Sequence, residues 1–265
     1  MASLECNELP VLLSIQNNVA WVTLNRAEQG NRLDTALTTA LTDIIESLNE
    51  NEAIRLIVLQ AQGKHFCLGA DMSQMLKQKN ASLEDNVEDA MVLVRLFETL
   101  VDSVVPVLAV VHGKVYGGGV GLVACADLVL CEDSVEFCLS ELKLGLIPAV
   151  ISPYVVNAMG VRQAKRWMMT AQPFSADVAL ESGLVHTLFN VKTHQALLAD
   201  TVHAMLQCAP VAMRRLKSLL SHFEFTLPPE DRAELLATLR IQPEAQEGLS
   251  AFLEKRKPYW CEDKS

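Results

Sequence analysis

His112-Gly113-Lys114-Val115-Tyr116-Gly117-Gly118-Gly119-Val120-Gly121-Leu122 is the stretch on which the reading of this chain turns. Before it, residues 106–111 form an apolar, β-branched run that reads as a strand. After it, residues 120–126 are apolar and compatible with a helix. A second stretch, Gly63-Lys64-His65-Phe66-Cys67-Leu68-Gly69-Ala70-Asp71, follows Leu56-Ile57-Val58-Leu59 in the same way, a strand running into a turn. Glycine at such turns lets the backbone come close to a ligand and leaves amide hydrogens facing outward. Two amides from separate loops that meet at one oxygen form an oxyanion hole, where fixed dipoles stabilise developing negative charge. The pair of turns therefore predicts enolate chemistry before any side chain is considered.

Outward from these turns, strand-like runs alternate with helical periodicity. Residues 11–13 and 19–24 read as a hairpin around Asn17-Asn18. Residues 34–49 carry Leu37, Leu41, Ile44, Ile45 and Leu48 at helical spacing, with Asp34 as N-cap. A strand is expected over 54–60, a helix over 82–101, and strands over 107–111, 127–131 and 136–139. Such strand–helix–strand units imply parallel pairing with crossover helices, hence an α/β class. After about residue 170 helical patterns take over, at 176–182, 193–208, 212–222, 229–239 and 243–255. The expected division is a core over 1–190 and a helical extension over 191–265.

The chain has 265 residues, half of them hydrophobic, but no apolar run long enough to span a bilayer. Its N-terminus lacks the layout of a secretory signal and is not Arg-rich like a transit peptide, so a cytoplasmic location is expected. The seven cysteines (6, 67, 125, 131, 138, 208 and 261) form no Cys-x-x-Cys pair and do not cluster with histidine at zinc spacings. They read as reduced thiols filling a core, Cys67 included, and no metal site is expected. A net charge of −10 argues against nucleic acid as a partner. Residues 34–52, with Asp43, Glu46, Glu50 and Glu52 and no lysine, argue specifically against RNA.

Phe66-x-x-Gly69-Ala70-Asp71, then Gly117-Gly118-Gly119, then Glu141-Leu142-Lys143-Leu144-Gly145-Leu146-Ile147-Pro148 resemble the crotonase (enoyl-CoA hydratase/isomerase) superfamily. Leu24-Asn25-Arg26-Ala27-Glu28 and residues 170–184 are similar to two further segments of that family, in the same order. The resemblance implies a spiral of ββα units followed by helices that build a homotrimer or a dimer of trimers. It also implies an acyl-CoA substrate and no separate cofactor, coenzyme A being part of the substrate. Carried over, the two oxyanion amides fall on Ala70 and Gly118, and the catalytic carboxylate on Glu141. Burial among apolar neighbours should raise the pKa of that carboxylate toward the range of a proton shuttle. Phe66, Leu68, Gly69, Met72, Gly117, Gly121 and Pro148 are expected around the substrate, with Asp71 bracing the first loop. Arg26, Lys64, Lys255 and Lys257 are candidates for the nucleotide end. His65 and His112 are expected to be structural.

One departure matters. Hydratases of the superfamily carry a second glutamate two residues beyond the glycine triplet, and here that position is Gly121. A single base suits moving a proton between two carbons of one acyl chain, which is isomerisation. Against this, residues 148–154 and 244–258 are similar to the bacterial 3-methylglutaconyl-CoA hydratase branch of leucine and acyclic-terpene breakdown. The leading expectation is hydration of a branched 2-enoyl-CoA. The alternatives are a 3-enoyl to 2-enoyl isomerase and a catalytically silent CoA-binding paralogue.

Overall fold

The computed structural model describes residues 9–77, 80–221 and 228–261, so Cys6 and His222 lie outside the described residues. In chain order the elements are β1 (Val11–Gln16), β2 (Val19–Leu24), α1 (Thr35–Glu50), β3 (Leu56–Ala61), α2 (Met72–Lys77), α3 (Leu83–Asp102) and β4 (Val107–Val111). There follow β5 (Lys114–Tyr116), α4 (Gly118–Ala124), β6 (Leu128–Glu132), β7 (Glu136–Cys138), α5 (Ser152–Thr170), β8 (Phe174–Ser175), α6 (Ala176–Glu181) and β9 (Thr187–Phe189). The chain continues with α7 (His194–Leu206), α8 (Pro210–Ser221), α9 (Pro229–Arg240) and α10 (Pro243–Glu254).

A six-stranded sheet runs β1-β2-β3-β4-β6-β9, antiparallel only at β1–β2, and a small sheet runs β5-β7-β8. Successive strands leave the large sheet for the small one, as in β4–β5–α4 and β6–β7–α5, and this repeating ββα unit is the α/β spiral expected. The period-2 alternation of the strands builds two apolar layers. Ile57 and Leu59 with Val107, Ala109 and Val111 face the main core, which α1, α3, α4 and α5 cover. Leu56, Val58, Leu108 and Val110 face the other way, where Leu197, Val202 and Met205 of α7 close over them.

Local signals placed most elements within a few residues. Asn17 and Asn18 both take positive φ at the hairpin turn, and Asp34 Oδ1 accepts the Leu37 amide at 2.7 Å. Sequence reading missed α5, and the reason is visible. Gly160 (φ 73°) interrupts it and joins two helical pieces across a kink, so the 3.6-residue period of Val155, Met159, Ala164 and Trp167 is blurred. It also missed β5, β8 and β9, each of which is three residues or fewer and too short to show alternation.

Candidate active site

The two glycine turns lie against each other. The Phe66 amide donates to the His112 carbonyl (3.1 Å) and the Tyr116 amide to the Cys67 carbonyl (2.9 Å), while Cys67 and Val115 form a parallel bridge. Gly69 (φ 84°) is required here, because a Cβ would stand 2.9 Å from the Tyr116 carbonyl oxygen. A third segment is tied in by Asn31, which is fully buried. Its side chain accepts from the Arg26 amide (2.8 Å) and donates to the Gln62 and His65 carbonyls (2.9 Å each). Leu33 then pairs with Ala70, its amide donating to the Gly69 carbonyl at 2.8 Å.

This packing leaves two amides unspent. The Gly117 amide donates to the Cys138 carbonyl (2.9 Å), but neither the Ala70 nor the Gly118 amide has an acceptor among the described residues. Gly118 opens α4, where no preceding turn supplies a carbonyl. Both residues line one cavity of about 490 Å³.

Glu141 reaches the same cavity through the small sheet. β5 and β7 pair in parallel with Tyr116 opposite Cys138, which puts the residues after Cys138 beside Gly117 and Gly118. A short 3-10 turn, Glu141–Leu144, ends at Gly145 (φ 73°) and holds the carboxylate over the glycines. A Cβ on Gly117 would stand 3.1 Å from Glu141 Oε1, and the buried Oε2 has no partner among the described residues. Burial pushes the Glu141 pKa above the ordinary carboxylate range, a hydrogen bond from its own backbone partly offsetting it. A buried carboxylate with a raised pKa thus shares one cavity with two free amide donors.

The cavity wall explains Gly121. A Cβ there would meet Ile151 Cγ2 at 2.5 Å and the Phe97 ring at 2.8 and 3.0 Å. Phe97 and Ile151 are buried and themselves face the cavity. The place where a second carboxylate would stand is therefore occupied by hydrocarbon, and Gly121 is covered rather than exposed to a ligand.

A profile of the enoyl-CoA hydratase/isomerase family matches residues 14–263. The chain belongs to this family. Its fold superimposes on an enoyl-CoA hydratase from Shewanella pealeana with a TM-score of 0.90 at 37% identity, over 98% of this chain and all of that one. By sequence it is 26% identical to the 2,3-dehydroadipyl-CoA hydratase of Escherichia coli, over 94% of this chain and 97% of that one. It is 32% identical to enoyl-CoA hydratase ACTT6 of Alternaria alternata over 72% of this chain, and the match spans 62% of that protein's length.

Of the residues expected around a crotonase substrate, the structure brings Leu68, Gly69, Ala70, Asp71, Met72, Gly117, Gly118, Glu141 and Pro148 to the cavity. Met75 also lines it. Asp71 braces its loop as expected, its Oδ1 accepting the Ser73 amide and hydroxyl (2.7 Å each), which holds its pKa below the ordinary range. The expectation for Phe66 needs correction. Phe66 is fully buried in the core behind the loop, so it supports the site without facing it. Arg26, Lys64, Lys255 and Lys257 do not line the cavity. Lys64 is exposed, the two C-terminal lysines follow the exposed end of α10, and Arg26 is absorbed into the loop that Asn31 ties down.

Cys67 is fully buried, its thiol pushed up to about 12, and so behaves as packing. His112 Nε2 sits 2.9 Å from the Gly63 carbonyl oxygen, and neither it nor His65 faces the cavity. Sequence reading missed Arg32, Leu33, Thr38, Phe97 and Ile151 as cavity residues.

Proposed function

We propose that this crotonase-family chain catalyses the reversible hydration of a 2-enoyl-CoA, with Glu141 as its single acid–base group and without a further cofactor. One observation carries the proposal: two unspent amides and one buried, partnerless carboxylate oxygen face the same cavity. The Ala70 and Gly118 N–H groups would donate to the thioester oxygen and draw electron density from the conjugated double bond. Water bonds to the β-carbon as Glu141 takes its proton, and the π electrons move onto the carbonyl oxygen. The enolate then collapses as protonated Glu141 delivers that proton to the α-carbon, which regenerates the carboxylate. Residues 148–154 and 244–258 support a 3-methylglutaconyl-like acyl group, and the dicarboxylic acyl chain in the name of the E. coli relative agrees with an acyl end that bears a carboxylate.

The second reading is a 3-enoyl to 2-enoyl isomerase, and the filling of the second-carboxylate position by Phe97 and Ile151 favours it. Glu141 would take the α-proton and return it to the γ-carbon through the same held enolate. Supplying 3-enoyl-CoA and 2-enoyl-CoA separately distinguishes the two by the conjugated-thioester absorbance. Loss of signal from the second substrate is the expected result. Growth of signal from the first, with none lost from the second, establishes the isomerase instead. Silence with both, unchanged in Glu141→Gln, leaves only a CoA-binding role.

The assembly we propose is a trimer or a pair of trimers, supported by the exposed Leu249, Phe252 and Leu253 on one face of α10.

A further inference from the structure

Thr38 and Arg32 line the cavity and take no part in the chemistry above. Thr38 is only 1% exposed, faces the cavity, and its hydroxyl has no partner among the described residues. A buried hydroxyl without a partner is costly, so its presence calls for a ligand or water to satisfy it. Thr42, one turn on, shows the ordinary alternative by bonding the Thr38 carbonyl at 2.9 Å. Arg32 is the one cation among the described residues that line the cavity, and its side chain makes no ion pair or hydrogen bond there. It is half-buried, while Asp34, Asp71, Asp89 and Glu141 line the same cavity.

Three of those carboxylates are engaged locally: Asp34 caps Leu37, Asp71 holds Ser73, and Asp89 accepts from Gln74 (2.9 Å). The guanidinium lies near enough to Asp71 to help hold that carboxyl below its ordinary range, but it is hydrogen-bonded to none of the four and stays open to an incoming anion. Arg32 adjoins Leu33, which pairs with Ala70 and whose Cδ1 is 2.7 Å from where a Gly118 Cβ would be, and Thr38 stands in the first turn of α1 that follows. They stand at the N-terminal end of α1, where the helix dipole also favours negative charge. Arg32 and Thr38 line the same cavity as the Ala70 and Gly118 amides.

The geometry points to Arg32 and Thr38 as specificity-determining residues that bind a carboxylate at the far end of the acyl chain. Arg32 supplies the charge and a fork that matches a carboxylate, and Thr38 supplies one hydroxyl donor. This inference rests on the acyl-CoA reading of the site, and it names the residues behind the substrate class proposed there. The other anion a CoA ester carries is its phosphates, and the test separates the two.

The experiment measures kcat/KM for 3-methylglutaconyl-CoA and for an analogue of equal length ending in methyl, on wild type, Arg32→Met, Thr38→Val and Thr38→Ser. The wild type should prefer the carboxylate-tipped substrate, and Arg32→Met should lower that preference at least tenfold. Thr38→Val should lower it severalfold, with Thr38→Ser restoring it, while thermal midpoints stay close to wild type. A wild type that turns over the methyl-tipped ester and not the other overturns the inference while leaving the proposed function intact. Equal losses on both substrates in Arg32→Met assign the residue to the phosphates and also overturn it. No turnover of either ester by wild type sinks the proposed function itself.

Discussion

At the level of single residues, the proposed chemistry rests on Glu141. Its Oε2 is buried without a partner, and burial raises its pKa, so its working form becomes available only as pH passes above the ordinary carboxylate range. The kcat/KM of wild type should therefore rise with pH through that shifted value. Glu141→Gln should lose activity by about 10³-fold, the scale of removing a positioned acid–base group. A pH profile of both proteins checks this. The same shift fixes a stability effect. The folded state favours the protonated acid, so this stabilising contribution is complete below the unfolded pKa and is lost as pH rises through the folded one. Glu141→Gln should thus melt higher than wild type at neutral pH and match it under acid, as read by thermal midpoints across pH. Gly121→Glu should fail in the opposite way. It overpacks Ile151 and Phe97, at a cost of about 1–3 kcal/mol before the buried charge is counted, and Ile151→Gly beside it should recover part of the loss.

Among the elements, the loops around the site depend on Asn31 and the helical extension on Lys217. Asn31 holds a left-handed backbone (φ 50°) and bonds three backbone groups from two loops. Asn31→Ala should destabilise by about 3 kcal/mol, because it leaves buried donors and acceptors unsatisfied, and should lower kcat as the Ala70 loop loosens. Denaturation and steady-state rates on the same variant check both parts. Lys217 of α8 donates to Asp127 at 2.7 Å and to the Val105 and Leu100 carbonyls, and burial lowers its pKa against the pull of Asp127. Lys217→Met should cost on the order of 3 kcal/mol, seen as a lower urea midpoint.

This is also the scale at which sequence reading succeeded and stopped. Asp34, the Asn17-Asn18 turn and the strand 107–111 were legible because cap, turn and alternation are local codes. The pairing of β5 with β7 was not legible. It is a three-residue contact between segments about twenty residues apart, yet with the turn that follows it sets Glu141 beside Gly117.

For the whole molecule, the glycine motifs and their order announced the crotonase family, and the two unspent amides were legible as a pair before any coordinates. The apolar filling behind Gly121 and the place of Arg32 and Thr38 in the cavity wall were not, since cavities arise from elements packed across the chain. Leu249, Phe252 and Leu253 are 52%, 81% and 78% exposed, a stripe that an isolated soluble chain would not favour. Phe252→Asp with Leu253→Asp should shift the sedimenting species toward the monomer, whereas an unchanged mass would place the contact elsewhere.

The sharpest measurement is a crystal structure of the Glu141→Gln variant with a bound 2-enoyl-CoA. The thioester oxygen should lie about 2.7–3.1 Å from both the Ala70 and the Gly118 nitrogens, with the substituted amide side chain facing the reacting carbons. A carbonyl held by other donors, with those two nitrogens turned away from it, would refute this mechanism.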